Sequence, residues 1–214
     1  MSKESLNLDR GVERANALTH LLGAVLSIIG LIMMLGLAEV SSNYVKLKSS
    51  LIFGISSILL YLASTVYHSV FSVKLKSIFK IVDHSAIFVL IAGTYTPFAL
   101  IALKNEGGYF LFNLLWLITL VGTLYKIFFS KRFKILSTII YLSIGWLAVA
   151  YMKPIYENIG ALGFIWLIAG GAFYSLGTIF YMGKRKYSHS IWHLFVLGGT
   201  ISHFISIYYF VLRM

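Results

Sequence analysis

Residues 189–212 read HSIWHLFVLGGTISHFISIYYFVL, a run of 24 residues that contains no Lys, Arg, Asp or Glu. At about 1.5 Å per residue, a helix of this length crosses the roughly 30 Å of hydrocarbon in a bilayer. The run lies between a basic triplet at 184–186 and Arg213. It therefore predicts a membrane-spanning helix, with His189 and His193 one helical turn apart near its first end.

The composition of the whole chain indicates a membrane protein. Of its 214 residues, 59% are apolar and only 12% are charged, and the mean hydropathy is +0.86. A soluble domain usually has about 25% charged residues. The chain has no Cys, which excludes a disulfide scaffold and limits metal ligands to imidazole, carboxylate and water. Apolar runs without alternation favour helices over strands. We therefore predict an all-α integral membrane protein, a single seven-transmembrane-helix bundle over 1–214, with spans at 17–38, 49–71, 82–103, 107–125, 135–152, 159–182 and 189–212.

The Lys and Arg residues predict the orientation of this bundle. Thirteen of the 18 lie before the first span or in the second, fourth and sixth connections, and five lie on the other side. The positive-inside rule then places the N-terminus in the cytoplasm and the C-terminus outside, in a cell membrane. The net charge of +11 is thereby concentrated where anionic lipid headgroups lie. Membrane lipids, and not nucleic acid, are the expected partners.

Four ionisable residues share one predicted depth near the cytoplasmic side. His68 lies at the end of span two, Asp83 opens span three, and His189 and His193 open span seven. Such groups cost about 2.5–3.5 kcal/mol each inside a bilayer, so they indicate a function. The three histidines predict a Zn²⁺ site with one open position for water. Asp83 would then act as a base towards that water, and Ser64, one turn before His68, would stabilise an oxyanion.

Structural interpretations of the same residues stay open. An Asp at a helix start is typical of an N-cap, which would explain Asp83. An interfacial His can simply bond to a headgroup or a carbonyl group. His84 is a further ligand candidate, although it points about 100° away from Asp83 around the helix. His203 lies about 15 Å deeper than His193, and we expect it to form a hydrogen bond between helices.

A second polar group lies at the start of span one. Glu13, Asn16 and His20 are separated by three and four residues, so they share one face of a helix. They could be a polar helix entry that reaches towards the headgroups. Alternatively, they line the metal site or support its ligands from behind.

The order and spacing of these residues resemble three motifs of the progestin and adipoQ receptor family, whose bacterial branch is the haemolysin III family: Glu13-x-x-Asn16-x-x-x-His20, then Ser64-x-x-x-His68 followed by Asp83, then His189-x-x-x-His193. The resemblance implies that the three histidines bind zinc near the cytoplasmic face. It also implies that Asp83 contacts the zinc-bound water. The wider superfamily includes alkaline ceramidases, so the resemblance implies hydrolysis of a lipid amide.

The expected function is therefore that of a zinc-dependent hydrolase of membrane lipid amides, ceramidase-like, which affects membrane lipid homeostasis. Two alternatives stay open: a haemolysin or cytolysin, and a sensor or receptor of lipid state in which zinc is structural. The helices lack the long polar stripes that line a water-filled pore. The sequence does not separate the hydrolase from the sensor, because catalytic and structural zinc can use the same ligands.

Overall fold

The computed structural model describes residues 9–129 and 134–214, which form α-helices joined by short connections. Side-chain oxygens of Asp9 and Asn43 accept hydrogen bonds from main-chain N–H groups and thereby start the first two helices. The helices are α1 (Arg10–Val40), α2 (Tyr44–Ser69), α3 (Val73–Pro97), α4 (Gly108–Phe129), α5 (Lys134–Gly145), α6 (Met152–Met182) and α7 (Ser188–Ser206).

The surface of the bundle is suited to lipid. Six helical segments within the described residues are long and apolar enough to cross a membrane. Large apolar side chains such as Leu18, Ile32, Phe110 and Ile179 project outwards, each more than half exposed. Many Ser, Thr and His side chains are buried instead. Because water would disfavour such an apolar exterior, the chain is a multi-pass integral membrane protein.

The longest of the six segments, Ile135–Met182, has 48 residues but is not one straight helix. Regular α-helix ends at Gly145 and is followed by a 3₁₀ turn. A second break lies at Gly160, whose φ of 71° is in the region that favours glycine. Trp146 Nε1 donates a hydrogen bond to Ser175 Oγ at 2.9 Å. In a straight helix these two residues would be about 43 Å apart, so α5 and α6 fold back on each other.

The third helix differs from the predicted span 82–103 at its start. It begins at Val73, after Ser72, so Asp83 lies well inside the helix. The N-cap interpretation of Asp83 is therefore wrong. At its other end α3 passes Pro97 and continues as a π-helical turn over Phe98–Ala102. Proline has no N–H group, so no main-chain hydrogen bond runs from residue 97 to the carbonyl group of Gly93.

Small residues let the helices around the polar end approach closely. A Cβ atom at Gly23 would lie 2.5 Å from the Tyr61 ring, and one at Gly93 would lie 2.3 Å from Ser56 Oγ. Lipid tails are as apolar as the side chains, so the hydrophobic effect does not drive helices together in a membrane. Close van der Waals contacts of this kind stabilise the bundle instead. One apolar cluster fills the interior next to the polar residues of α1, α2, α3 and α7, and it consists of Ala24, Leu60, Tyr61, Ala86, Leu90, Val196 and Leu197.

Candidate metal centre

Three histidines come together at one end of the bundle. His68 lies in the last turn of α2, and His189 and His193 lie in the first two turns of α7. One ring nitrogen from each lies within 4.8 Å of the others. His68 and His193 are 4% and 0% exposed, and His189 is partly buried. The three rings could therefore hold one metal ion.

The outer ring nitrogens of two of these histidines already have partners. His68 Nδ1 donates a hydrogen bond to the Glu13 carboxylate at 3.0 Å, and His193 Nδ1 donates to the Asn16 main-chain carbonyl at 3.1 Å. A carbonyl oxygen only accepts, so His193 carries its proton on Nδ1 and keeps a lone pair on Nε2.

The inner nitrogens fit a metal ion. The Nε2 atoms of His68 and His193 are buried and have no hydrogen-bond partner in the described parts of the chain. Buried polar atoms are rarely left without a partner, and an imidazole nitrogen that has a lone pair can bind a metal ion. Hydrogen bonds from Nδ1 to a carboxylate and to a carbonyl group are the contacts that orient metal-binding imidazoles. The residues present therefore fit a metal with nitrogen ligands.

One face of α1 packs against this cluster. Asn16 Oδ1 accepts a hydrogen bond from Ser190 Oγ, which ties α1 to α7. Thr19 Oγ1 lies 3.1 Å from His193 Nδ1. The His20 ring stacks on the His193 ring with 3.5 Å between centroids and 15° between planes. Thr19 and Ser190 had not been predicted, because hydroxyl side chains are common in membrane helices and give no distinct signal.

Lys76 belongs to the same network, and sequence reasoning missed it. Its Nζ donates to Glu13 Oε2, the oxygen that also accepts from His68. Lys76 is only 6% exposed. The sequence places Lys76 in the second connection, among the basic residues that predict the cytoplasmic side of the bundle. The available signal was Glu13 itself, because a carboxylate inside a membrane helix needs a cation or several donors.

Asp83 and Ser64 lie beside the histidines. Asp83 is 5% exposed and lies near His68 and Lys76. Ser64 is fully buried and lies next to the Asp83 side chain. Its hydroxyl group has no partner of normal hydrogen-bond geometry among the residues that the structure describes. The structure thus brings both side chains to the edge of the cluster.

The other two histidines lie outside the cluster. His84 is not among the side chains that come close enough to share one ion with His68, and its main-chain carbonyl accepts a hydrogen bond from Tyr141 at 2.8 Å. His203 Nε2 donates to the main-chain carbonyl of Leu167 in α6 at 3.1 Å. The predicted interhelical hydrogen bond of His203 is thereby confirmed.

A mostly apolar cavity of about 120 Å³ begins at the edge of the cluster. Asp83 and His20 line one end, and Trp146 and His203 line the other. The wall comes mainly from α3, α5, α6 and α7. Asp83 and Tyr95 both line it and are 12 residues apart on α3, so its lining extends over about 18 Å along that helix.

A surface ion pair joins the starts of α1 and α7 outside the apolar region. Lys186 Nζ lies 3.0 Å from Asp9 Oδ2. This hydrogen bond is the main reason why the pKa of Asp9 is lowered and that of Lys186 is raised. Both side chains are exposed, so the pair contributes little to stability.

These features define a class, the multi-pass helical membrane proteins that carry a buried candidate metal centre of histidines at one end of the bundle. The chain belongs to the haemolysin-III-related family. The sequence profile of that family, described as "Haemolysin-III related", matches residues 10–204. This range includes all three histidines and their partners on α1, and it confirms the resemblance inferred from the motifs.

Similarity to individual proteins extends over nearly the whole chain. The "Hemolysin-3 homolog" of Bacillus subtilis (strain 168) is 46% identical over 203 residues, which cover 94% of this chain and 95% of the relative. "Hemolysin-3" of Bacillus cereus is 44% identical over 201 residues, 94% and 92% of the two chains. The human "Monocyte to macrophage differentiation factor" is 26% identical over 206 residues, 93% and 84%.

Proposed function

We propose that His68, His189 and His193 hold a Zn²⁺ ion. Three neutral imidazoles suit zinc, and they leave one position of a tetrahedral site open. The chain supplies no thiolate that would favour another site. The Nδ1 hydrogen bonds of His68 and His193 support this choice, because they hold both rings with Nε2 directed inwards.

We further propose that the protein hydrolyses the amide bond of a membrane lipid. The observation that carries this proposal is the cavity, whose lining starts at a buried carboxylate beside the histidines and extends about 18 Å along α3. Half of a bilayer's hydrocarbon is about 15 Å thick, so this lining has the length of one acyl chain. Ile87, Leu90 and Ile91 form part of its lining.

In the proposed reaction, Asp83 is the general base and accepts a proton from the water that attacks the carbonyl carbon. The Ser64 hydroxyl group donates a hydrogen bond to the carbonyl oxygen while negative charge develops there, and it keeps its proton. The C–N bond then breaks, the nitrogen takes the proton from Asp83, and a fatty acid and an amine are released. When bound, zinc would act as a Lewis acid that lowers the pKa of water and polarises the carbonyl group.

We also propose seven spans with the N-terminus in the cytoplasm, so that Ile135–Met182 crosses the membrane twice. A straight helix of 48 residues would be about 72 Å long, more than twice the hydrocarbon thickness. The contact between Trp146 and Ser175 and the break at Gly160 support a reversal. The distribution of Lys and Arg supports the orientation, which puts the histidine cluster near the cytoplasmic face.

A sensor with structural zinc is the second candidate function. The observation in its favour is that α2 and α7 supply the ligands, and α1 supplies the partners of His68 and His193. A bound ion would therefore hold three helices together even without turnover. The printed names of the two Bacillus relatives refer to haemolysis, so a lysis assay belongs in the test.

The deciding experiment is single-turnover hydrolysis by the zinc-loaded protein in nanodiscs, with ceramides, other N-acyl lipids and phospholipid esters as substrates. Asp83→Asn should keep its zinc and lose about 10²–10⁴-fold in rate. Asp9→Asn is the matched control, because Asp9 is exposed and Asn preserves the helix cap; its rate should equal that of the wild type. Equal rates in wild type and Asp83→Asn would exclude Asp83 as the base. No hydrolysis of any substrate would favour the sensor, and lysis of erythrocytes without hydrolysis would favour the haemolysin.

A further inference from the structure

Lys126 is a buried cation that has no carboxylate partner among the residues that the structure describes. It lies in the last turn of α4 and is 5% exposed. Its Nζ donates a hydrogen bond to Ser137 Oγ of α5 and lies 5.5 Å from the centroid of the Tyr141 ring. None of the ion pairs within the described residues includes Lys126. A charge removed from water costs several kcal/mol unless a counter-ion or several good hydrogen bonds compensate it.

The helices that hold Lys126 and Ser137 offer no acid, and α3 adds positive charge nearby. The sequence contains no Asp or Glu between Glu106 and Glu157, so α4, α5 and their connection cannot supply a counter-ion. Lys80 of α3 is the charged neighbour that acts on Lys126. The carbonyl end of α4 offsets part of this charge, but the amino end of α5, near Ser137, adds positive potential again. Two lysines thus lie at one corner, and within the described residues neither belongs to an ion pair.

The surface next to this corner is apolar. The side chains that flank it on α4 and α5 are large, hydrophobic and between 46% and 75% exposed: Leu124, Ile127, Phe128 and Ile135. A ligand that combines a phosphate with acyl chains would meet both the charge and this surface. A soluble phosphate would use the charge alone. The juxtaposition therefore favours a lipid as the source of the anion.

We propose that Lys126 and Lys80 bind the phosphate of an anionic membrane phospholipid at the corner formed by α3, α4 and α5. The acyl chains would lie along the exposed apolar side chains of α4 and α5. This binding site is separate from the histidine centre. Tyr141, which lines the cavity, lies next to Lys126 and marks the boundary between the two.

Lipid binding is measured by native mass spectrometry on the full chain released from detergent. The probes are phosphatidylglycerol and phosphatidylcholine with the same acyl chains. The wild type should retain phosphatidylglycerol preferentially, and Lys126→Met should weaken that binding at least tenfold. Lys80→Met should weaken it about fivefold, the effect of one basic residue near an anionic membrane surface. Lys153→Met is the matched control, since Lys153 is exposed and pairs with Glu157 at 3.9 Å; it should bind like the wild type.

Lys126→Met changes a buried residue and could impair folding. Lys80→Met keeps the proposal testable in that case, because Lys80 is exposed and its loss leaves the interior intact. Equal binding of phosphatidylglycerol by the wild type, Lys126→Met and Lys80→Met would overturn the proposal. Displacement of the lipid by excess inorganic phosphate would overturn the lipid assignment in favour of a soluble phosphate. Neither result depends on zinc or on hydrolysis, so the outcome is independent of the proposed function.

Discussion

Glu13→Gln tests how the candidate metal centre is supported. One carboxylate oxygen of Glu13 accepts hydrogen bonds from both His68 and Lys76. Gln has nearly the same shape but no charge, so buried Lys76 would lose the carboxylate that it contacts directly. Removal of one partner of a buried ion pair costs about 3–5 kcal/mol in the free energy of unfolding. Glu13 lies in the first turn of α1, close to the end of the bundle, so we expect the lower value, about 3 kcal/mol.

The same substitution should weaken metal binding by a separate route. Loss of the charged acceptor behind His68 should lower zinc affinity about 10–100-fold, as is typical for partners of metal-binding histidines. Adding Lys76→Met to Glu13→Gln should restore stability, because it removes the unpaired cation. It should leave the zinc affinity low, because His68 still faces a neutral amide.

Two assays on the purified protein separate these effects: denaturant unfolding of the metal-free form and zinc affinity by competition with a chelator. Glu157→Gln is the control, since its pair with Lys153 is long at 3.9 Å and exposed; stability should change by less than about 0.5 kcal/mol. Unchanged stability and affinity in Glu13→Gln would refute the role of Glu13. Recovery of full affinity in the double variant would show that Glu13 acts only through Lys76.

Three further predictions concern metal, packing and topology. His193→Ala should lose most of its zinc by elemental analysis, and zinc should no longer raise its melting temperature; full occupancy would contradict the ligand assignment. Gly23→Ala should destabilise the protein by about 1–3 kcal/mol, because its Cβ would lie 2.5 Å from a neighbouring tyrosine ring, whereas Gly36→Ala, with nothing within 4 Å, should not. Single cysteines at 104–107 should react with an impermeant reagent on intact cells, and those at 184–188 should not; the reverse pattern would invert the proposed orientation.

The sequence predicted which residues meet better than it predicted where helices begin. The spacing of four residues predicted that His189 and His193 share one face of a helix. The equal predicted depth of His68 in the membrane indicated that it joins them, and the structure brings all three together. The start of α3 was missed because Lys74, Lys76 and Lys80 lower the hydropathy of its first turns. A helix can continue beyond the hydrocarbon of the bilayer. A drop in hydropathy therefore shows where the membrane-spanning part ends, but not where the helix ends.

The partners of the histidines were only partly predictable. The face with Glu13 and Asn16 followed from helical periodicity, whereas the contact of Glu13 with Lys76 depends on how α1 and α3 are rotated against each other. Close packing, for example at Gly23, sets that rotation. A glycine in a single sequence does not reveal which neighbouring helix will pack against it. The cavity likewise results from the packing of several helices and has no local sequence pattern.

The central claim is that three histidines bind one zinc ion at the end of the bundle. X-ray absorption at the zinc edge, on protein purified without chelator, tests it directly. We predict one zinc per chain with nitrogen neighbours at about 2.0–2.1 Å, including the outer-shell scattering of three imidazoles from His68, His189 and His193. Protein without zinc, or zinc surrounded only by oxygen, would contradict the claim.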